Sequence, residues 1–264
     1  MQSGRLKSLE VGMGAFSTIL GQFRQHYWLA GALGFALTSC ADNDTSLFVQ
    51  GVMAATPPSC EITADPGAAQ SLRGTLDVAF RSSYRGALLV ANQLTPRGDK
   101  SNLRTETQGF QIQGAEVRLT DAQGTVLDEF SVQSGGFVES NTAETPGYGI
   151  TLVTLVPPER GTNLRDALES EGRGASRTVV ANVRVFGETL GGLEITSGEY
   201  RYTIDVCFGC LVEFPPDALE AMPGEGPTCG GSAEGVTLDQ CRFGQDLPID
   251  CRQCSGALDL CISP

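Results

Sequence analysis

The stretch VVANVRVFGETLGGLEITSGEYRYTIDV, Val179 to Val206, decides the fold. Val179, Ala181, Val183 and Val185 recur at every second position, and Tyr200, Tyr202, Ile204 and Val206 repeat the pattern after a glycine-rich interval. A period of two puts each set on one face of a strand, and the glycines between them mark turns. Two half-buried β-strands are therefore predicted. On such strands Tyr200 and Tyr202 are expected in a core, not as a platform for a ligand.

Upstream the same period returns repeatedly. Leu76, Val78 and Phe80 alternate, as do Leu88, Val90 and Leu94, and then Ala115, Val117 and Leu119. Asp121-Ala122-Gln123-Gly124 has turn chemistry, after which Val126, Phe130 and Val132 resume, followed by Ile150, Leu152 and Val156. About seven strands separated by turns predict an all-β, immunoglobulin- or fibronectin-like sandwich over residues 72–206. One short helix is expected within it, capped by Asn163, with Leu164, Ala167 and Leu168 on one face and Gly172 at its end, crossing between sheets.

Seven of the nine cysteines follow residue 206: Cys207, Cys210, Cys229, Cys241, Cys251, Cys254 and Cys261. Two CxxC pairs suggest zinc, but their separation is about twice that of the usual site and three cysteines would be left over. Disulfides suit them better in an exported chain. Residues 207–264 are rich in Gly and Pro and short of large apolar side chains, so a small disulfide-rich C-terminal module is predicted. Because seven is odd, Cys60 is expected to pair with one of them. A thioredoxin-like role for either CxxC would need a βαβ unit, and none is visible.

The other end of the chain carries an export signal. Residues 27–39, YWLAGALGFALTS, are apolar but too few for a membrane-spanning helix, which needs ~20 residues. The run ends in Leu37-Thr38-Ser39-Cys40, which resembles the lipobox of bacterial lipoproteins. That resemblance implies a signal peptide over 1–39 and lipid attachment at Cys40, holding the protein to a membrane without spanning it. Using Cys40 for lipid leaves eight cysteines, an even number. Ala41 lacks the acidic side chain associated with inner-membrane retention, so the outer membrane is expected, with the protein periplasmic or surface-exposed. Residues 40–71 show no sustained period and are expected to be a tether.

Composition removes several functions. The formal charge of −13 becomes −15 without residues 1–39, which makes nucleic acid a poor partner. His26 and Trp28 are the only residues of their kinds and both precede Cys40, while Lys100 is the only lysine after it. No imidazole is then available for a catalytic triad or a zinc site. Lys100 sits in a turn-rich stretch, and the neighbouring Arg97-Gly98-Asp99 is expected to be an ordinary turn, not an adhesive motif. There is no phosphate-binding glycine loop. No catalytic residue, metal ligand or cofactor is assigned.

The runs VVANVRVFGETLGGLEITSGEYRYTIDVCFGCLV and GQDLPIDCRQC resemble uncharacterised predicted lipoproteins of myxobacteria and related bacteria, which share the VFGxTLGG, VCxGCLV and GQDxxxDCRxC motifs. The resemblance spans the chain from about residue 72 onward. It implies an envelope lipoprotein and no activity. The expected function is thus a non-enzymatic structural or interaction component with envelope proteins as partners. A surface module binding glycan or protein through loops 96–109 or 135–148 is the alternative, and a carboxylate-based hydrolase a more distant one.

Overall fold

The computed structural model describes residues 46–98, 105–142, 144–216, 229, 241–253 and 259–261. Among the described residues twelve strands and one α-helix follow in order: β1 Leu47–Met53, β2 Gln70–Ser71, β3 Gly74–Asp77, β4 Tyr84–Asn92, β5 Phe110–Asp121, β6 Val126–Val138, β7 Gly147–Val156, α1 Pro158–Glu171, β8 Ser176–Thr189, β9 Glu194–Thr196, β10 Tyr200–Cys207, β11 Val212–Glu213 and β12 Ile249–Asp250. The chain is all-β in character, with several disulfides toward its C-terminus.

One sheet has the order β2-β1-β4-β7, and a larger one the order β3-β10-β8-β5-β6 with β9 paired to β8. Their inward side chains meet in a single core. Leu88, Val90, Val153 and Leu155 come from the first sheet, and Val117, Leu119, Val183 and Ile204 from the second. The alternating runs 115–119, 179–185 and 202–206 are buried as their period requires.

Along one side the two sheets approach directly. Ser134 Oγ of β6 donates to Leu152 O of β7 at 2.7 Å, and Thr151 Oγ1 of β7 donates to Gly135 O at 3.1 Å. Glycines permit this approach: a Cβ on Gly136 would lie 2.7 Å from Ile150 O, and one on Gly149 would lie 2.3 Å from Phe137 O.

Three expectations are corrected. Residues 40–71 are not simply a tether, because 47–53 form a strand between β2 and β4 in the first sheet. A bulge between Val49 and Gly51 shifts the inward set from Leu47 and Val49 to Val52, so the sequence shows no clean period of two. In β7 the core-facing residues are Thr151, Val153 and Leu155, whereas Ile150 packs on the opposite face and Leu152 is exposed. Part of the outer face of this sheet is covered too, which accounts for Ile150 but not for the exposed Leu152. There Met53, Ala87 and Leu89 form a second cluster beneath Ile62 and Ala68 of the crossing segment 54–69.

The helix is also longer than expected. It starts at Pro158, whose missing N–H costs nothing in the first turn, and Asn163 lies inside it, exposed. Leu168 is buried and Leu164 half-buried, and Gly172 ends the helix with φ 96°. As expected, α1 carries the chain from the first sheet to the second.

Described residues of the cysteine-rich tail pack with the sheets. Val212, Ile249, Cys251, Leu260 and Cys261 belong to the same core as the sheets, and residues Asn43–Pro264 form one compact unit. Among the described residues no helix is long and apolar enough to cross a membrane.

Candidate functional site

The tail reaches back to the sheets through a loop at 241–247. Cys241 at its start is bonded to Cys60, which straps segment 54–69 and this loop together. Between them and the start of β4 lies a cleft of about 260 Å³. Its apolar side is formed by Val52, Met53 and Ile62, and its polar side by Tyr84, Arg242 and Asp246. The volume lies just under the ~300–1,000 Å³ common for ligand pockets.

A chain of hydroxyls runs from Tyr84, which lines the cleft, into the core. The Tyr84 phenol donates to Asp246, 2.9 Å from Oδ2 and 3.1 Å from Oδ1. Tyr202 OH lies 3.0 Å from Tyr84 OH and 2.9 Å from Ser71 Oγ, so its one proton serves either neighbour. Asp246 also accepts from Thr75 N at 2.8 Å and from Gln245 Nε2 at 2.9 Å, which engages both carboxylate oxygens. These bonds hold Asp246 at φ 64°, a conformation a non-glycine residue rarely adopts unsupported. Gln245 fixes the loop to β4 by accepting from Arg85 N and donating to Arg85 O.

Burial, then the Asp246 charge, holds the Tyr84 phenol far above the ordinary tyrosine value, and burial also raises that of Tyr202. Tyr84 is therefore a fixed proton donor and no base. At the mouth, burial and then the neighbouring Arg85 lower the Arg242 guanidinium, which donates to the Arg85 carbonyl.

These shifts carry a pH dependence. Unfolded tyrosines ionise near pH ~10. The native phenols keep their protons, so their contribution is complete below about pH 10 and is lost as the pH rises beyond it. Tyr84→Phe is expected to lower neutral stability by about 1–2 kcal/mol and to flatten the alkaline decline. Phenolate absorbance followed beside near-ultraviolet circular dichroism checks this. Full titration of every tyrosine in a still-native protein would contradict the assignment.

A second carboxylate, this one buried, organises the CxxC turn after β10. Asp77, completely buried, accepts from Gly209 N at 2.8 Å, Leu211 N at 3.0 Å and Ala79 N at 3.2 Å. Its own N–H donates to Gly244 O at 2.9 Å. Asp77, Cys207 and Cys210 offer ligand atoms within 4.8 Å of one another. The two sulfurs are bonded to each other, however, and a metal needs thiolates.

The outer face of the larger sheet carries a shallow groove of about 550 Å³. Arg118 stands opposite Glu129 and bonds Glu199 at 3.1 Å, and Glu116 stands opposite Arg184. This ladder of opposite charges stabilises a solvated sheet face, and it does not set apart the acid and base that glycoside hydrolysis needs.

Of the sequence-assigned residues, Cys60 bonds Cys241, Cys207 bonds Cys210 and Cys229 bonds Cys251. Cys261 is disulfide-bonded as well. Cys40, Cys254, Asp99 and Lys100 lie outside the described residues. Sequence reasoning did not single out Tyr84, Asp77 or Asp246. The Gly-Gln-Asp of the GQDLPIDCRQC motif was the available signal for the last, and it is the segment that meets Asp77 and Tyr84. No protein-family model matches the chain, and neither does any curated protein.

Proposed function

We propose that this chain is a non-enzymatic lipoprotein of the bacterial cell envelope. An acylated Cys40 holds an immunoglobulin- or fibronectin-like sandwich at the outer membrane, where it acts as a structural or protein-interaction component. The observation that carries the reading is cysteine pairing. All seven cysteines among the described residues are in disulfides, which persist in oxidising compartments and are rare in the cytosol. Cys40 stands apart from them in the lipobox-like Leu37–Cys40. The motifs resembling predicted myxobacterial lipoproteins point the same way. The engagement of Asp77 and Asp246 by structural hydrogen bonds also favours a non-catalytic role.

Mass spectrometry of the mature N-terminus is expected to find a thioether-linked diacylglycerol and an acylated amine on Cys40. Cys40→Ser is expected to move the protein from the membrane to the soluble fraction. An unmodified Cys40 in membrane-derived protein would overturn the anchor.

The cleft over Tyr84 and Asp246 favours a second reading, a surface module for a small ligand with an apolar part and an acceptor for Arg242. A glycan and small-molecule array probed with the native protein tests it. Binding lost in Tyr84→Phe would support it, and no binding at all would remove it.

A further inference from the structure

The turn between β8 and β9 is Leu190-Gly191-Gly192-Leu193, four exposed residues without a charge. Leu190 is 56% and Leu193 58% exposed, and Phe137 beside them is 44% exposed. The turn does not hang free. Thr189 N donates to Leu193 O at 2.9 Å, Leu190 N to Gly109 O at 2.8 Å and Gly191 N to Thr107 O at 2.9 Å. Phe137 and Leu190 both lie against Gly109, where an added Cβ would be 2.7 and 3.3 Å from them. The backbone thus holds apolar side chains outward, where a loop tip usually carries polar ones.

The end of the molecule that bears this tip also holds Ser46, the first described residue. Ser46 O accepts from Gln93 N, Leu47 pairs with Asn92, and Asn92 Nδ2 donates to Gln108 O at 2.8 Å, next to Gly109. Four such neighbour steps of roughly 5 Å separate residue 47 from the tip. Cys40 precedes Ser46 by six residues, whose fully extended length is about 21 Å. The turn after Asp121, in contrast, stands about 40 Å away, across the 12 residues of β5.

We infer that the Leu190–Leu193 tip, with Phe137, is a membrane-facing surface that seats its leucines in the headgroup region of the bilayer to which Cys40 is anchored. This rests on the lipoprotein reading. A tether that short keeps this end at the bilayer and leaves the far end in solvent. Glu188 and Glu194 pair across the hairpin just behind the tip, so a zwitterionic surface suits it better than an anionic one.

The test uses the absence of tryptophan after Trp28. Leu193→Trp, Leu190→Trp and Val126→Trp, the last at the far end, each give the mature acylated protein a single tryptophan. Each is purified from its own membranes and reconstituted into phosphatidylcholine vesicles. Side chains seated ~5–10 Å into the headgroup boundary lie within reach of brominated acyl chains. Tryptophan at 193 and 190 is expected to lose about half of its emission in dibromophosphatidylcholine, with the residue at 126 unchanged and anionic lipid weakening the effect.

The mass of the N-terminal peptide, read on the same samples, separates the two ideas. Acylated protein with all three tryptophans equally unquenched overturns the membrane-facing tip and leaves the lipoprotein reading intact. Protection of 193 that needs a second protein from native membranes overturns it in favour of a protein occupant. An unacylated Cys40 overturns both.

Discussion

The double substitution Cys60→Ser with Cys241→Ser is expected to lower the unfolding free energy by about 5 kcal/mol. The bond closes a loop of 181 residues, nearly the whole described chain, so its loss returns much conformational freedom to the unfolded state. Its native role adds to this. Segment 54–69 crosses the outer face of the first sheet, and its Ile62 and Ala68 cover Met53, Ala87 and Leu89. Without the strap that cover is held mainly by β2 and its few ladder bonds. Equilibrium urea unfolding measures the loss, and thermal unfolding is expected to fall by about 10–20 °C. Replacing both cysteines avoids a stray thiol that would exchange with the other disulfides. A change under about 1 kcal/mol would mean that the loop-closure argument does not apply here.

Asp77→Ala is expected to cost about 3–5 kcal/mol, because three backbone N–H groups in a closed interior lose their acceptor together. The loss concentrates where β3, the CxxC turn and the tail loop meet. Asp77→Asn, nearly the same in shape, keeps one oxygen but turns an amide donor toward another donor, and about 2 kcal/mol is expected. The pH dependence identifies the charged group. Burial outweighs the backbone donors and lifts the Asp77 carboxyl above the ordinary carboxylate range. The native state then holds this proton more tightly than the unfolded chain. Its contribution is complete below about pH 4 and is lost as the pH rises through the native pKa. Stability curves of the native protein and Asp77→Asn should therefore diverge in that window, the Asn variant declining less. Parallel curves would show that Asp77 ionises alike in both states.

Much of the fold was legible in single strands. Val117, Leu119, Val183 and Ile204 lie on the core face that their period of two assigns, because one face of the larger sheet is open to solvent and one is closed. The first sheet was harder to read. Strand β4 is buried on both faces except at Arg85, and Ile150 of β7 packs on the outer face, so alternation fails where a crossing segment covers that side. Strand β1 escaped notice for a different reason, a bulge that changes its register after Val49.

The site was less legible still. Tyr84 and Asp246 are 162 residues apart, and Asp77 and Leu211 are 134 apart. Nothing local in either member announces the other. Tyr202 was expected in the core and lies there, yet its hydroxyl backs the Tyr84 phenol beneath the cleft only because Tyr84 is opposite.

What the sequence by itself determined is the all-β class, the position of most strands, the crossover helix and the concentration of cysteines at one end. These follow from periodicity, turn chemistry and composition, each a property of neighbouring residues. The tertiary structure alone decided which cysteines bond, that described residues of the tail join the main core, and that the buried Asp77 and the exposed Asp246 tie them to the sheets. Those outcomes depend on which distant surfaces exclude water together, and chain order does not encode that in any local pattern.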